Sequence, residues 1–346
     1  MKLLVVTQAI DTEDPVLGFF ARWIEECSKR FEHVEVICLK EGKHALPPNV
    51  RVHSLGKERG SVSRVTYVFR FLCLAWKLRS QYDAVFVHMN QEYILICGWL
   101  WKLMGKNIYL WRNHYAGSWS TDLAAFFCTK VFCTSKHSYT AKYKKTVLMP
   151  VGVDVERFST ATQTVRKPHS ILYLARISPS KRPEVLIDAL ARLAKNKINF
   201  SASFYGSPLM EDETYYRSLK EKVRLLGLSD LISFHTGIPN TQTPEVYQMH
   251  EIFVNLSPSG MLDKTMFEAI ASGCIPLFAS ADMAEIIGFE FAYADGDEND
   301  LAKHLASMLA LSEDERHARV HELQVKALGA HTLPVLGTRL AEEMNL

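Results

Sequence analysis

Several large classes of protein are disfavoured by what this 346-residue sequence lacks. No uninterrupted apolar run reaches the roughly 18 to 20 residues that a membrane-spanning helix needs, and the longest candidate, residues 93–104, is broken by Gly98 and Lys102. The seven cysteines are odd in number and scattered, with no C-x-x-C pair, so they indicate reduced core residues of a cytosolic protein. No Walker or G-x-G-x-x-G loop is present, and no His/Cys cluster has zinc spacing.

Length and charge indicate two domains. A chain of 346 residues is too long for one ordinary core. The net charge of +2 hides an asymmetry, because residues 1–155 carry 21 Lys and Arg against 13 Asp and Glu, whereas residues 156–346 carry 19 against 25. The basic half is suited to an acidic acceptor or to an anionic membrane surface. The first residues predict a strand and not a signal peptide, so we expect a cytoplasmic location, or one at the inner face of the membrane.

Apolar runs of strand length alternate with amphipathic helical segments, which predicts an α/β fold with doubly wound sheets. The predicted strands are 2–9, 33–39, 50–54, 84–89, 107–112 and 130–134 in the first half, and 171–175, 200–205, 231–235, 252–256, 275–278 and 291–294 in the second. One predicted helix, residues 61–79, is basic and aromatic. Such a helix either lies on a bilayer surface or packs on a sheet while its Lys and Arg side chains extend to solvent. Both alternatives stay open.

The segment 257–276 follows a predicted strand and combines a small-residue loop, a short helix and a second apolar run. In an α/β sheet such a loop lies at the carboxyl ends of the strands, where ligands bind. The backbone N–H groups of Ser259, Gly260 and Met261 are expected to point outward near the helix start, as a site for an anion or for sugar hydroxyls. Glu268, acidic among apolar neighbours, is either a carboxylate that grips a pair of hydroxyls or an ordinary helix-surface glutamate.

A second strand-to-helix loop places two cations beside a helix start. Arg176 and Lys181 follow the strand 171–175, and Pro183 suits the first turn of the next helix. Two permanent positive charges and a helix dipole are what a diphosphate needs, although a pair of solvated loop charges would show the same pattern.

Two strand ends in the first half carry residues suited to a cleft. His114 follows the strand 107–112 and is expected to hydrogen-bond a substrate or to polarise a leaving group. For His88, within the strand 84–89, a structural role is the favoured interpretation. The aromatic residues near His114 either provide flat apolar surface for a sugar ring or simply pack.

Three motifs, in this order, resemble those of the family 4 retaining glycosyltransferases, whose GT-B fold has two Rossmann-like doubly wound domains facing a cleft. Residues 150–158, P-V-G-V-D-V-E-R-F, are similar to that family's N-G-V-D-x-x-x-F segment. Residues 175–181, A-R-I-S-P-S-K, are similar to G-R-L-x-x-x-K, and residues 268–276, E-A-I-A-S-G-C-I-P, to E-A-M-A-x-G-x-P. The resemblance covers nearly the whole chain.

The resemblance implies a role for each motif. Arg176 and Lys181 correspond to the pair that neutralises the diphosphate of the nucleotide-sugar donor. Glu268 corresponds to the residue that holds the ribose, and His114 to the one that contacts the donor sugar, so these four are the predicted catalytic residues. The predicted donor-binding residues are Gly18, Arg176, Lys181, Ser259, Gly260, Met261, Leu262, Asp263, Lys264, Thr265 and Glu268. The predicted acceptor contacts are Phe19, His88 and Asn90.

The sequence departs from the family pattern in places. The family commonly carries a further Glu eight residues before the motif's Glu, but this position is Gly260, so either Asp263 or Lys264 substitutes or the loop holds the sugar through backbone groups. Ala175 replaces the glycine before the Arg, and the N-terminal loop offers only Gly18.

One further motif belongs to a different fold. Residues 295–297, D-G-D, have the D-x-D form by which another glycosyltransferase fold binds a metal. Here the motif precedes a helix, so Asp297 is predicted to be a turn residue or a helix N-cap.

We therefore predict a metal-independent hexosyltransferase that moves a hexose from a UDP- or GDP-sugar to a glycan or lipid-linked acceptor, with retention at the anomeric carbon. No cofactor beyond this donor substrate and no nucleic-acid partner is expected. Peripheral membrane contact through the basic N-terminal domain is a further prediction. The alternatives are a nucleotide-sugar epimerase or hydrolase of the same fold and a non-catalytic sugar-nucleotide-binding protein.

The predicted domain boundaries follow from the motifs and the resemblance. Residues 1–158 form a Rossmann-like acceptor-side domain, 159–169 a linker, and 170–330 a Rossmann-like nucleotide-sugar-binding domain. Residues 331–346 form a final helix that crosses back to the first domain.

Overall fold

The structure, a computed structural model, describes residues 1–60, 62–160 and 164–344. The chain divides into two compact units. Unit 1 comprises Met1–Gly152, Pro239–Thr241 and Leu333–Leu346, and unit 2 comprises Val153–Ile238 and Gln242–Thr332. Parts of three predicted segments, namely residue 61 of the helix 61–79, residues 161–163 of the linker and residues 345–346 of the final helix, lie outside the described residues.

Strands and helices alternate through both units. The elements up to residue 148 are β1 Lys2–Ile10, α1 Phe20–Ser28, β2 His33–Glu41, β3 Val50–Ser54, α2 Arg64–Lys77, β4 Ala84–His88, α3 Glu92–Leu103, β5 Asn107–Trp111, α4 Trp119–Phe127, β6 Lys130–Cys133 and β7 Thr146–Leu148. Those that follow are α5 Val155–Ser159, β8 Ser170–Leu174, α6 Pro183–Lys195, β9 Ser201–Tyr205, α7 Glu213–Leu225, β10 Ile232–His235, α8 Thr243–Gln248, β11 Ile252–Asn255, α9 Lys264–Ala271, β12 Ile275–Phe278, α10 Ala281–Ile287, α11 Glu298–Leu309, α12 Glu313–Leu328 and α13 Leu333–Glu343. Short 3-10 turns occur at Lys57–Arg59, Tyr139–Lys142, Pro179–Lys181, Met210–Asp212, Asn240–Gln242 and Phe289–Phe291.

Unit 1 is built on a seven-stranded parallel sheet with the order β3-β2-β1-β4-β5-β6-β7. The central strands are buried on both faces, as the continuous apolar run of β1 requires. On one face, Phe20 and Trp23 of α1 pack with Leu336 of α13. On the other face, α2, α3 and α4 pack through residues that include Phe71 and Trp101. The two helical layers make the sheet doubly wound.

Unit 2 is built on a five-stranded parallel sheet with the order β10-β9-β8-β11-β12. The two sheets confirm the predicted α/β class with two Rossmann-like halves. None of the helices in the described ranges combines the length and the apolar character that crossing a membrane requires.

Two sequence predictions are corrected by the structure, and four elements are present that the sequence did not predict. The predicted strand 291–294 is absent, because this segment begins within the 3-10 turn Phe289–Phe291 and its backbone forms an isolated bridge, between Phe278 and Ala292, in place of a strand. The elements α4, α5, β7 and α10 were not predicted. Six of the seven cysteines are buried as expected, but Cys73 is exposed on α2.

Candidate functional site

The candidate site lies where the strand order of the unit 2 sheet changes direction. The chain places β9 and β10 on one side of β8, and β11 and β12 on the other side. The loops that leave the carboxyl ends of β8 and β11 therefore diverge, which forms the usual ligand crevice of a doubly wound sheet. These loops, residues 175–182 and 256–263, carry most of the predicted residues.

The loop after β8 is held by close backbone packing and by Arg182. A Cβ atom at Gly206 would lie 2.0 Å from the carbonyl oxygen of Ala175, so only glycine fits beside this loop. Arg182 adopts the left-handed conformation, with φ of +48°, immediately before α6. Its guanidinium donates to the Leu256 carbonyl at 2.8 Å and pairs with Asp295. Arg182 therefore joins three loops, a role not predicted because its partners lie 74 and 113 residues away in the chain.

Lys181 connects the two loops of the crevice directly. Its Nζ donates to the Ser257 hydroxyl at 3.0 Å and lies 3.9 Å from a carboxylate oxygen of Asp263. The Lys181 side chain keeps 23% of its surface exposed, so the ammonium also faces solvent. The other predicted cation, Arg176, lies in the same loop and is exposed. The structure thus brings Lys181 into contact with Ser257 and Asp263, whereas Arg176 is directed to solvent.

Asn255, the last residue of β11, organises the loop that follows. Its Oδ1 accepts from the Ser257 N–H at 2.9 Å, and its Nδ2 donates to Asp263 and to the Thr265 hydroxyl at 3.3 and 3.2 Å. Asp263 then accepts from the Thr265 N–H at 3.2 Å as the N-cap of α9. Asn255 was not among the predicted residues, although a lone amide at the end of a buried strand is a usable signal.

The loop before α9 also binds the start of α10. The N–H of Gly260 donates to the buried carboxylate of Asp282 at 2.8 Å, and the Ser259 hydroxyl accepts from the Ala281 N–H at 2.9 Å. The prediction that Gly260 offers its N–H outward is therefore wrong, because a carboxylate of α10 already accepts it. Gly260 has φ of +89°, which side-chain-bearing residues rarely adopt. This backbone conformation favours glycine over the glutamate of the family pattern.

Glu268 and Lys264 are an i, i+4 pair on α9. Glu268 is 5% exposed, which excludes the interpretation as an ordinary surface residue. Burial is the largest influence and raises the pKa of its carboxyl, although the charges of Lys264 and Arg157 act to lower it. Burial lowers the pKa of the Lys264 ammonium, and attraction to Glu268 opposes this shift. Burial therefore favours the neutral form of each group, and the attraction between the two side chains favours their charged forms.

The other predicted residues of this segment differ in burial. Leu262 is buried, so its side chain belongs to the core of unit 2. Met261 and Thr265 are half-buried. These two side chains are therefore within reach of a ligand at the loop surface.

In unit 1 the strand order changes direction between β1 and β4. Gly18 and Phe19 follow β1, and His88 and Asn90 lie at the end of β4, so all four predicted residues share this sheet edge. His88 is buried and stacks on Phe20 with ring centroids 3.9 Å apart, and Phe19 approaches it edge-on at 6.1 Å. The contacts of His88 support the packing role favoured from the sequence.

His114 follows β5 and is half-exposed. Its Nδ1 lies 2.9 Å from the backbone nitrogen and 3.2 Å from the carbonyl oxygen of Ala116, and its ring stacks on Tyr115 at 4.6 Å. These contacts hold the ring at the end of β5.

The D-G-D segment has structural roles. Asp295 pairs with Arg182, and Asp297 accepts from the N–H groups of Asn299 and Asp300 at 2.8 and 3.1 Å as the predicted N-cap of α11. In the part of the chain that the structure describes, no group of three or more His, Cys, Asp or Glu side chains is arranged to hold a metal ion.

This architecture is shared with solved structures of low sequence identity. Anabaena HepE in complex with UDP and glucose superposes with a TM-score of 0.80 at 17% identity, over 100% of both chains. Sucrose-phosphate synthase from Thermosynechococcus elongatus superposes with a TM-score of 0.77 at 15% identity, over 99% of this chain and 98% of the other. The chain therefore has the GT-B fold.

The sequence comparison agrees with the fold. Residues 154–322, just under half of the chain, match the family described as glycosyl transferases group 1. The Agrobacterium fabrum mannosylfructose-phosphate synthase is 28% identical over 209 residues, which are 56% of this chain and 44% of that protein. A D-inositol 3-phosphate glycosyltransferase of Geodermatophilus obscurus is 26% identical over 196 residues, which are 51% and 42%. The chain spans less than half the length of these curated relatives.

Proposed function

We propose that this chain is a glycosyltransferase that moves a hexose from a nucleotide diphosphate sugar to a glycan or lipid-linked acceptor, with retention at the anomeric carbon and without a metal ion. One observation carries the proposal. Lys181 contacts Ser257 at 3.0 Å and faces Asp263 at 3.9 Å, which joins the cationic loop to the start of α9. Glu268 lies one turn inside that helix.

Lys181 and Arg176 are suited to the departing diphosphate. The present partners of the Lys181 ammonium are a neutral hydroxyl and a carboxylate at 3.9 Å, both weaker than a charge-assisted bond to a phosphate oxygen. The amino end of α6, which begins two residues after Lys181, adds a partial positive charge. Negative charge on the diphosphate grows as the glycosidic bond breaks, so these groups stabilise the transition state more than the ground state.

Glu268 is suited to the ribose of the nucleotide. A carboxylate accepts hydrogen bonds from two neighbouring hydroxyls, and a buried position strengthens each of them. Burial raises the pKa of the Glu268 carboxyl, and the positive charge of Lys264, one turn earlier on α9, opposes that shift in favour of the ionised form that this role needs.

The family resemblance extends the proposal to unit 1. His114 contacts the donor sugar, and Gly18 belongs to the donor-binding loop. Phe19 and Asn90 contact the acceptor, and His88 supports Phe19 through their ring contact.

UDP is the first nucleotide to test. Anabaena HepE was solved in complex with UDP and with UDP-glucose. The curated relatives are named for different products and acceptors, so the acceptor is proposed here only as a class.

Release of nucleoside diphosphate from a panel of UDP- and GDP-sugars tests the proposal. We expect slow hydrolysis of one donor alone, faster release with a glycan or lipid acceptor, retention of the anomeric configuration in the product, and the same rate after chelation of metals. Tight donor binding without turnover would instead support a non-catalytic binding protein. Isomerisation of the donor sugar would support an epimerase.

Two substitutions test the site itself. Arg176→Ala and Glu268→Ala are each expected to weaken nucleotide binding, whereas Lys303→Ala, at an exposed lysine of α11, serves as the control. Unchanged binding in both site variants would overturn the assignment.

A further inference from the structure

Three neighbouring helices of unit 1 carry large apolar side chains on the sides turned away from the sheet. α2, α3 and α4 all contribute to one core cluster on the same face of the sheet, through residues such as Phe71, Trp101 and Ala124. Their inward sides are therefore accounted for by packing. Each helix nevertheless presents a second apolar stripe to solvent.

The stripe on α2 consists of Val65, Phe69, Cys73 and Trp76, all of them exposed. These residues are three or four positions apart, which places them on one side of the helix. The solvent side of a surface helix is normally polar. The α2 helix is therefore apolar on two sides, and one of these sides is exposed to solvent.

The helices α3 and α4 continue the same surface. Trp99 and Leu103 are exposed on α3, and Trp119, Leu123 and Phe126 are exposed on α4.

The six tryptophans of the chain separate into two sets. Three are buried in the core of unit 1: Trp23, Trp101 and Trp111. The other three lie one on each helix, with 51% of Trp76, 50% of Trp99 and 76% of Trp119 exposed.

The helices on the opposite face of the same sheet provide an internal comparison. The exposed side chains of α1 and α13 include Arg22, Arg339 and Glu342, with Val335 as the apolar exception. Because both helical layers cover the same sheet, the unusual composition belongs to the α2, α3 and α4 side alone.

The α2 part of this surface is cationic. Residues 62–82 contain no Asp or Glu and four basic residues: Arg64, Arg70, Lys77 and Arg79. Arg79 lies over the ring of Trp76 at 4.5 Å, and Lys102 is exposed on α3. Asp122 of α4 pairs with Lys142 at 2.7 Å, so its charge is compensated. Tryptophan beside Lys and Arg is the composition of protein surfaces at the bilayer interface, because the ring is apolar while the N–H and the cations stay with the headgroups.

We propose that the three-helix surface formed by α2, α3 and α4 docks this chain onto an anionic lipid bilayer. The aromatic and aliphatic side chains enter the headgroup boundary, and the exposed cations contact lipid phosphates. A second copy of the chain fits this surface less well, because a two-fold contact would bring the same uncompensated cations together. The inference does not depend on the proposed transfer reaction.

Flotation of the full chain with lipid vesicles tests the proposal. We expect binding to vesicles of phosphatidylcholine mixed with phosphatidylglycerol, weaker binding to phosphatidylcholine alone, and weakening of the first by salt. The double variant Phe69→Ser/Trp76→Ser should lower partitioning about tenfold or more. The double variant Arg64→Gln/Lys77→Gln should lower partitioning onto the anionic vesicles about fivefold for each charge removed from the protein. Its partitioning onto phosphatidylcholine alone should be unchanged.

Matched controls lie in unit 2. Phe289→Ser changes an aromatic residue that is similarly exposed, and Lys195→Gln/Lys303→Gln removes two exposed cations, so neither should change partitioning. Brominated lipids should quench the tryptophan fluorescence of the wild type. The proposal is overturned if the wild type does not bind anionic vesicles, or if the controls lose as much binding as the surface variants. It is also overturned if Phe69→Ser/Trp76→Ser changes the oligomeric state in light scattering and leaves vesicle binding intact.

Discussion

Replacement of Lys181 by methionine removes one positive charge and leaves most of the apolar stem in place. In the structure its ammonium donates to the Ser257 hydroxyl at 3.0 Å and lies 3.9 Å from Asp263. Loss of these two contacts should lower the free energy of unfolding by only about 1 kcal/mol, because one partner is neutral and the other is distant and partly solvated. A charge-assisted hydrogen bond from the same atom to a bound diphosphate is worth about 1.5 to 3 kcal/mol.

The substitution should therefore weaken UDP binding about 10- to 150-fold. Uridine has no phosphate, so its affinity should be unchanged. Isothermal titration calorimetry of the wild type, Lys181→Met and the control Lys303→Met with both ligands measures the difference. The reasoning is refuted if UDP binds Lys181→Met as tightly as the wild type, or if uridine loses as much affinity as UDP.

Three other predictions concern Glu268, Gly260 and His250. Wild type should prefer UDP over 2′-deoxy-UDP in competition titrations, and Glu268→Gln should lose most of that preference because the carboxylate no longer binds the hydroxyl pair. Gly260→Ala should lower the free energy of unfolding by about 1 to 2 kcal/mol in urea titrations, because φ is +89° there, whereas Gly329→Ala, at φ of −53° with no atom within 4 Å, should not. Burial lowers the pKa of His250, whose Nδ1 hydrogen-bonds the Val246 carbonyl at 2.7 Å. The unfolded chain then binds the proton more readily, so stability should fall as the pH drops below about 6.5 and His250→Gln should lose this part of the dependence. An unchanged ribose preference, equal losses at the two glycines, or the same acid dependence in His250→Gln would contradict the respective prediction.

Elements with strong local signals were predictable from the sequence. The start of the helix α12, Glu313–Leu328, carries such a signal, because Ser312 and Glu315 form a capping box there. The elements α10 and β7 were missed because seven and three residues are too few to show a periodic pattern. The helix α4 was missed for a different reason. Its exposed aromatic residues make the outer side of the helix apolar as well, so its sequence shows no amphipathic pattern.

The candidate site was predictable as a set of loops but not as a set of contacts. Arg176, Lys181 and Glu268 stand in short motifs at strand-to-helix junctions, so local sequence indicates them. The role of Arg182 could not be predicted in this way, because its bonds depend on which loops the sheet order brings together. Asn255 was missed although its amide, at the end of a buried strand, is a local signal. The hydrogen bond from the Gly260 N–H to the Asp282 carboxylate also depends on the arrangement of the loops in space, so no local pattern indicated it.

A crystal structure of the chain with UDP tests the central claim most directly. We expect an oxygen of the β-phosphate within hydrogen-bonding distance of the Lys181 Nζ and the ribose hydroxyls on the Glu268 carboxylate. UDP bound at another place in the chain, or in this crevice with its ribose away from Glu268, would contradict the proposed site.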